Sequence, residues 1–231
     1  MRSLILLFAA LFLPVAAENV GSISFVVGAA KIKKMGQVAW KEARVNLPVA
    51  GGDQLQTGRA ECVEISLADG SVMRVGEESE VTVQSPTDKL VSPTVNKGKI
   101  WANIKKLSKR NYDFEVTTGT ATAAIRGTVF RVENTPADSQ STVMVYDGKV
   151  AVGPGGDIKA KMDAMKGERR EVSGPTEISG PFEVSLMDWV TIVKGQQINI
   201  RRDGKFNKFK FDEKKDAADS WVKFNRERDL L

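Results

Sequence analysis

The sequence contains no histidine, one cysteine and two tyrosines among its 231 residues. Without histidine the chain lacks the usual proton shuttle near neutral pH and the commonest metal ligand, which excludes a Ser-His-Asp triad. The single cysteine, Cys62, excludes an intrachain disulfide and a thiolate metal cluster. No stretch isolates two carboxylates in apolar surroundings, as a glycosidase would need. We therefore expect no enzyme activity, no cofactor and no metal.

An excess of one charge is also missing. The chain carries 34 Lys and Arg against 29 Asp and Glu, a formal net charge of +5. Residues 18–156 hold 17 basic and 15 acidic side chains, and residues 157–231 hold 16 and 14. Nucleic-acid-binding domains concentrate positive charge on one face or stripe. Nucleic acid is therefore not an expected partner.

Long apolar runs are limited to one, the ten residues Leu4–Leu13. This run is shorter than the ~20 residues that cross a bilayer, which argues against the alternative of a membrane anchor. Arg2 precedes it and the small residues Val15-Ala16-Ala17 follow it, as in a secretory leader. We predict that residues 1–17 are a signal peptide cleaved after Ala17. The mature chain should then be periplasmic or secreted, with no membrane span.

The most informative stretch is Val116–Val132, which reads VTTGTATAAIRGTVFRV. It is rich in Thr and Val, and β-branched residues with a period of two favour a strand. Arg126 is the only charge before the last two residues. Gly127 follows at once and indicates a bulge or a close approach of another backbone.

At these residues the sequence resembles FecR-type domains, in which a Thr-rich strand runs into a V/I-R-G-T-x-F segment. Other motifs of the same family are G-D-Q-L-Q-T-G, D-G-S and two G-K turns, and together they extend over roughly residues 21–153. The residues that carry the resemblance are Asp53, Thr57, Asp69, Gly70, Arg126, Gly127, Thr128 and Phe130.

The resemblance implies a mainly β, solenoid-like or sandwich-like antiparallel domain outside the cytoplasm. It implies sensing, scaffolding or partner binding and no catalysis. The best-known FecR-type regulators have a cytoplasmic anti-sigma segment and a transmembrane helix before this domain. Seventeen residues hold neither, so the expected protein is a stand-alone periplasmic module, and direct control of a sigma factor is not carried over.

Three Asp-Gly pairs support an antiparallel β fold: Asp69-Gly70, Asp147-Gly148 and Asp203-Gly204. Each is flanked by apolar alternation and predicts a two-residue type I′ hairpin. Residues 61–67 alternate strictly, which places Cys62 on the more polar face of a strand. No neighbouring base or cation lowers the pKa of its thiol, so we interpret Cys62 as a small strand residue.

The remaining chain divides by composition. We predict a FecR-type β domain over residues 18–153, an extended arm and β hairpin over 154–211, and a C-terminal helix over 212–231. A capping box at Ser185–Asp188 and a terminating Gly195 favour a short helix near residues 186–194. The β-branched run Val190–Val193 keeps a strand open as the alternative.

Two sets of side chains are candidates for binding. The guanidinium of Arg126 could hold a carboxylate or phosphate, or it could pair inside the fold with Asp53 or Asp69. The stretch 201–211 interleaves bases and aromatics, as in surfaces that hold anionic polymers, or it is a hairpin with Phe inward and Lys outward. The bases in this second set are Arg201, Arg202, Lys205, Lys208 and Lys210.

Three functions follow as hypotheses. The first is an exported, non-enzymatic sensor or scaffold that binds an unidentified envelope protein or anionic polymer. The second is an envelope polysaccharide hydrolase, and the third is an adhesion protein that assembles through strand edges. The absent histidine and the resemblance favour the first. The sequence fixes neither the partner nor the oligomeric state.

Overall fold

The structure is a computed structural model that describes residues 18–87, 90–106, 113–160 and 189–231. The expected signal peptide lies outside these residues. The strands, in chain order, are β1 Asn19–Val27, β2 Lys31–Lys33, β3 Lys41–Glu42, β4 Pro48–Ala50, β5 Gln54–Gln56, β6 Cys62–Leu67, β7 Val72–Val75, β8 Glu80–Thr82, β9 Leu90–Val91, β10 Thr94–Asn103, β11 Asp113–Thr117, β12 Ala121–Ile125, β13 Val129–Thr135, β14 Gln140–Asp147, β15 Lys149–Pro154, β16 Val190–Val193, β17 Gln196–Arg201 and β18 Phe206–Lys210.

The strands form two connected layers, as the mainly β fold class requires. Sheet A has the order β4-β1-β6-β7-β10-β13-β14-β17-β18, and all of its pairs are antiparallel. Sheet B has the order β3-β2-β5-β8-β10-β11-β12-β15-β16, with β9 and β10 parallel to β11. Strand β10 belongs to both layers: its start pairs in sheet B and residues 98–103 pair in sheet A.

One apolar core fills the space between the two layers. It includes Ile23 and Ile65 from sheet A, together with Ile32 and Leu55 from sheet B. Phe130 of β13 lies edge-on to Phe114 of β11, with ring centroids 6.2 Å apart. The expected mainly β, largely antiparallel fold class is confirmed.

The central stretch is not one long strand. It forms the end of β11, then β12, then the start of β13, because the chain turns at residues 118–120 and again at 126–128. Gly127 has φ +61°, and a Cβ there would lie 2.6 Å from Cβ of Lys106. The predicted close approach at Gly127 is therefore confirmed, but it lies in a turn between strands.

The Asp-Gly pairs do not form type I′ hairpins. That turn needs positive φ at both central residues, and only the glycines have it: Gly70 +79°, Gly148 +81° and Gly204 +85°. In the β6–β7 hairpin, Leu67 N donates to Ser71 O at 2.9 Å, which leaves a three-residue loop. The β17–β18 hairpin is closed in the same way, by Arg201 N and Lys205 O at 2.9 Å.

The third pair, Asp147-Gly148, is not a hairpin at all. Strand β14 pairs with β13 and β17 in sheet A, whereas β15 pairs with β12 and β16 in sheet B. The chain therefore crosses from one layer to the other at Gly148. Asp147-Gly148 therefore predicts a turn correctly, but the dipeptide does not determine which strands pair.

The predicted helix near residues 186–194 is wrong where the structure describes it. Residues 190–193 form β16, whose residues pair one for one with Lys149–Val152 of β15. The β-branched residues suit this ladder, and the ladder outweighs the local capping signals. Residues 186–188 lie outside the described ranges.

Helices occupy little of the described chain. The described part of α1 covers residues 156–160, and a short 3-10 turn covers Pro136–Asp138. The C-terminal helix is present as two pieces, α2 Glu213–Ala217 and α3 Ser220–Arg228, each with an aspartate cap, Asp212 and Asp219. None of the helices in the described ranges has the length and apolar content needed to cross a bilayer. The predicted boundaries at residues 153 and 211 stay predictions.

The crossing at Gly148 gives a prediction about stability. A Cβ at Gly148 would lie 2.7 Å from the carbonyl oxygen of Gly127, whereas a Cβ at Gly36, with a similar φ of +73°, would meet nothing within 4 Å. Gly36→Ala should therefore cost only the left-handed strain, about 1 kcal/mol. Gly148→Ala should cost about 3 kcal/mol, because the crossing must also shift. Urea unfolding measures both values. Equal losses in the two variants would contradict the close crossing.

Candidate binding site

The Arg-Gly-Thr triplet forms the corner between β12 in sheet B and β13 in sheet A. Thr128 is buried, and its hydroxyl donates to the carbonyl of Lys149 at 2.9 Å. Its backbone exchanges two hydrogen bonds with Ile104, each 3.0 Å long. Thr128 therefore ties the corner at 126–128 to the second crossing, which Gly148 makes beside it.

Arg126 is exposed and does not lie inside the fold. Its expected partner Asp53 is instead paired with Lys34, and Asp69 accepts hydrogen bonds from Ser71 N and Oγ at 2.8 and 2.9 Å. The interpretation of Arg126 as a buried, paired arginine is wrong. Strand β12 ends at Ile125, so Arg126 lies in the turn after the apolar strand and not within it.

Arg126 and its neighbours form an open hollow on the outer face of sheet B. Ala124 pairs with Glu115 on one side and Ala151 on the other, and Ala151 pairs with Thr191. These four residues make a row across β11, β12, β15 and β16, in which Ala124, Ala151 and Thr191 have small side chains and Glu115 adds a carboxylate. Arg126 and Lys149 line the same hollow on one side of this row, two residues along the chain from Ala124 and Ala151.

An indole lies on the opposite side of this row, two residues beyond Ala151 on β15. Trp189 lies on Gly153, where a Cβ would come within 2.9 Å of the ring. Half of the Trp189 side chain is exposed, at 52%. The surface therefore combines two cations, one carboxylate from Glu115, a flat small-residue floor and an aromatic edge. Two adjacent cations of this kind can hold a carboxylate or phosphate, and Arg can do so with two parallel hydrogen bonds.

The threonines of the central stretch have a structural task. Thr118, Thr120 and Thr122 are buried, and each hydroxyl bonds to a backbone carbonyl, of Ala121, Ile200 and Pro154 respectively. Ser141 links Thr118 and Thr120 at 2.8 and 2.6 Å. Each of these three hydroxyls has a partner, so the Thr-rich sequence satisfies buried polar groups and does not itself face a ligand.

The upstream motif residues also hold turns. The Asp53 carboxylate accepts from Ala50 N at 2.8 Å and from Met35 N at 3.0 Å. Thr57 donates its hydroxyl to Gly76 O at 2.5 Å and accepts from Ser79 N at 3.0 Å. Gly70 takes the left-handed position of the β6–β7 loop, and Phe130 is fully buried.

The structure does not gather the basic side chains of 201–211 into one set. Arg202 reaches Asp157 of α1 at 3.0 Å, and Arg201 lies 3.5 Å from Asp203. Lys208 donates to the carbonyl of Thr191 in β16 at 2.9 Å, so it bridges the edge strands of the two layers. Lys205 is half-buried and Lys210 is exposed. On β18, Phe206 packs on the core while Phe209 is partly exposed, so the expected inward Phe and outward Lys hold only at Phe206.

Sequence reasoning missed a buried ionic layer on the outer face of sheet A. Arg74 of β7 is 2% exposed and bonds to Glu64 of β6 at 2.6 Å and to Asp229 at 2.5 Å. Arg228 of α3 makes two bonds to the same Glu64, at 2.6 and 3.0 Å, and stacks on Phe25 at 3.8 Å. The C-terminal segment thus covers sheet A through charges. The only sequence signal for this contact is the presence of acidic and basic residues in the C-terminal segment.

Aromatic side chains complete the contact between α2, α3 and sheet A. Trp101 donates its indole N–H to Asp229 at 3.0 Å and stacks on Tyr146 at 4.4 Å. The Tyr146 hydroxyl bonds to Asp216 of α2 at 3.2 Å, and Arg131 lies 3.3 Å from the same carboxylate. Burial raises the pKa of Tyr146 and of Asp216, although Arg131 opposes the shift at Asp216.

Cys62 lies under this layer. It is buried, so the face that the alternation marked as polar is not open to solvent. Burial raises the pKa of the Cys62 thiol to about 12, and the charges of Arg74 and Glu64 act on it in opposite directions. A thiol with this pKa stays protonated near neutral pH, as the interpretation of Cys62 as a strand residue requires.

The ionic layer predicts a particular dependence on pH. Burial alone would raise the pKa of Glu64, but hydrogen bonds from Arg228, Ser24 and Arg74 lower it to about 2, against an ordinary 4.5. Because the folded-state pKa is depressed, the stabilisation is complete above about pH 4.5 and is lost as pH falls toward 2. Glu64→Gln should flatten this slope and, at pH 7, should cost about 3 kcal/mol, because it leaves two arginines without their carboxylate.

Urea unfolding at a series of pH values measures both the pH slope and the loss of unfolding free energy at pH 7. Glu227→Gln, at an exposed site on α3, should keep the full slope. Asp216 contributes with the opposite sign, since its raised pKa favours the folded state at low pH. Asp216 is present in the parent and in both variants, so its contribution to the pH slope cancels when the slopes are compared. An unchanged slope in Glu64→Gln would show that the layer does not stabilise the fold.

Together, these features define a two-layer, antiparallel β module with a buried Thr-rich segment, an exposed arginine corner and its own C-terminal cover. The FecR protein family model matches residues 53–151, so this part of the chain is similar to FecR domains. The match begins at Asp53, although β1 to β4 complete both sheets before it. No curated protein matches the chain.

Among solved structures, the chain is similar to a "putative anti-sigma factor" from Parabacteroides distasonis ATCC 8503, in two crystal structures. Both give a TM-score of 0.51 at 17% identity over 71% of this chain. The match spans 62% of that protein's chain in one structure and 63% in the other. At this identity the likeness shows a shared fold.

Proposed function

We propose that this chain is an exported, non-enzymatic binding module of the cell envelope that acts as a sensor or scaffold. It holds its partner on the outer face of sheet B, at the hollow formed by Ala124, Ala151, Arg126 and Lys149. The partner presents a carboxylate or phosphate to the two cations. It is an envelope protein or an anionic polymer.

One observation carries the proposal: the arginine of the FecR signature is exposed, next to a second cation and a flat floor. An arginine needed only for folding would be buried and paired, as Arg74 is. The corner that presents Arg126 is instead held by Thr128 and Gly127, which leaves the guanidinium available to a partner. The leader-like residues 1–17 support export.

The two alternatives have less support. Adhesion through strand edges would use strands with one sheet partner, which among the described strands are β3, β4, β9, β16 and β18. Lys208 and Lys210 lie on β18, and lysine on an edge strand opposes further strand pairing. Hydrolysis would need two carboxylates facing one cleft. In the described hollow at Arg126, Glu115 is the one acidic lining residue.

Binding at the hollow can be tested by crosslinking. A photoreactive residue at Ala151, on the floor, should crosslink one partner in intact cells, and mass spectrometry would identify it. Arg126→Ala and Lys149→Ala should each weaken binding of the purified partner about tenfold or more, because a hydrogen bond to a charged group contributes about 1.5–3 kcal/mol. Isothermal titration calorimetry measures the affinities.

Matched variants separate this effect from general loss of charge. Arg59→Ala and Lys159→Ala remove exposed cations elsewhere and should leave the affinity unchanged. All four variants should unfold within about 0.5 kcal/mol of the parent, since the side chains are exposed. A partner whose affinity is insensitive to Arg126 and Lys149 would refute the site.

Export is tested separately. Cell fractionation should find the protein outside the cytosol, with Glu18 as its first residue by N-terminal sequencing. Leu7→Asp interrupts the apolar run and should retain the unprocessed chain inside, whereas Leu7→Val keeps the run apolar and should be exported. A full-length chain beginning at Met1 in the cytosol would contradict export while leaving the binding hollow to its own test.

A further inference from the structure

An exposed apolar tip projects from the opposite end of sheet B. It is the loop between β2 and β3, and it carries Met35, Val38 and Trp40, which are 60%, 94% and 37% exposed. A turn closed by Gln37 N and Lys34 O at 2.9 Å shapes it, with Gly36 in the left-handed conformation. We call these three side chains the apolar tip. Single exposed apolar residues are ordinary, but three within six residues form a patch.

The base of the loop is fixed to the folded domain. Asp53 bonds to both Lys34 and the backbone N–H of Met35, and Lys34 also donates to Pro48 O at 2.9 Å. Met35 lies across Gly52, where a Cβ would be 2.6 Å from its sulfur. The tip is therefore held in place by a residue of the FecR signature and is not simply a loose turn.

Positive charge surrounds the apolar tip. Lys33 lies over the ring of Trp40 at 5.0 Å, and Lys31 and Lys41 are exposed on the paired strands β2 and β3. The other two cations of the region are neutralised locally, Lys34 by Asp53 and Arg44 by Glu42 at 3.0 Å. The excess charge thus comes from Lys31, Lys33 and Lys41, with Trp40 among them.

We propose that this loop is a membrane-docking element that inserts the apolar tip into an anionic phospholipid surface. Tryptophan is favoured at the boundary between headgroups and acyl chains, where its ring is apolar and its N–H is wet. Lysines beside it are attracted to anionic headgroups, and this attraction acts over about a Debye length. The combination of an apolar tip with a basic collar matches an anionic bilayer better than it matches an uncharged protein surface.

Sedimentation with vesicles tests the proposal. The chain from Glu18 to Leu231 is used, because the run Leu4–Leu13 would itself bind lipid. It should bind vesicles that mix phosphatidylglycerol with phosphatidylcholine and should not bind phosphatidylcholine alone. Added salt should weaken the binding. Lys41→Gln should weaken it about fivefold, and Val38→Asp about tenfold or more.

Val193→Asp provides the matched control. Val193 is another exposed valine, at the other end of sheet B on β16, and its substitution should leave vesicle binding unchanged. Circular dichroism would check that all variants stay folded. The Arg126→Ala variant should also bind vesicles normally, which separates this element from the proposed partner site.

Three outcomes would overturn the proposal. The first is equal binding to neutral and anionic vesicles, or no binding to either. The second is binding that Val38→Asp does not weaken. The third is a dimer in vesicle-free solution that Val38→Asp dissolves, which would assign the apolar tip to contact with a second copy of the chain.

Discussion

The fold depends on two neighbouring crossings between its layers, and the Thr128 hydroxyl joins them. At residues 126–128 the chain passes from sheet B to sheet A, and at Gly148 it returns. The two corners are in contact: a Cβ at Gly148 would lie 2.7 Å from the carbonyl oxygen of Gly127 and 2.9 Å from the hydroxyl oxygen of Thr128. A buried carbonyl needs a hydrogen-bond donor. The carbonyl of Lys149 at the second corner receives one from the hydroxyl of Thr128 at the first corner. Arg126 therefore extends outward from a corner whose position is tied to the neighbouring crossing at Gly148.

The two sheets have different outer faces, and the reason is charge. Sheet A presents Glu64, Arg74 and Arg131 outward, and a face of this kind would normally remain in water. The C-terminal segment instead covers it, with Asp229 and Arg228 completing the ion pairs. Buried ion pairs give little net stability compared with an apolar contact. They do fix the geometry, because any arrangement that loses one partner leaves the other charge buried and unpaired. The register of α3 on sheet A is therefore specified more strongly than an apolar contact would specify it.

Much of the layer architecture was predictable from sequence, and most failures have one cause. Period-two alternation and the Asp-Gly turns identified strands and bends correctly, because both are local properties of the chain. Which strands pair is not local, so the sequence wrongly predicts a hairpin at Gly148 and a helix at residues 190–193. In the sequence nothing distinguishes Arg74 from an ordinary outward-facing strand residue, since its partner Asp229 lies far along the chain. For Arg126 the sequence leaves pairing inside the fold open, because an apolar run precedes it, whereas in the structure β12 ends at Ile125 and the chain turns there.

The strand order of sheet B separates the two proposed contacts. The β2–β3 loop lies at one edge, and the hollow beside Arg126 lies across β12 and β15 near the other. Five strand steps separate β2 from β12, through β5, β8, β10 and β11, which at about 4.8 Å per step is roughly 24 Å. That distance is large enough for a bilayer surface and a partner to be held at once. Since the outer face of sheet A is occupied by the chain's own C-terminal segment, sheet B is the layer on which such a bridge can form, with Asp53 fixing one end and Thr128 the other.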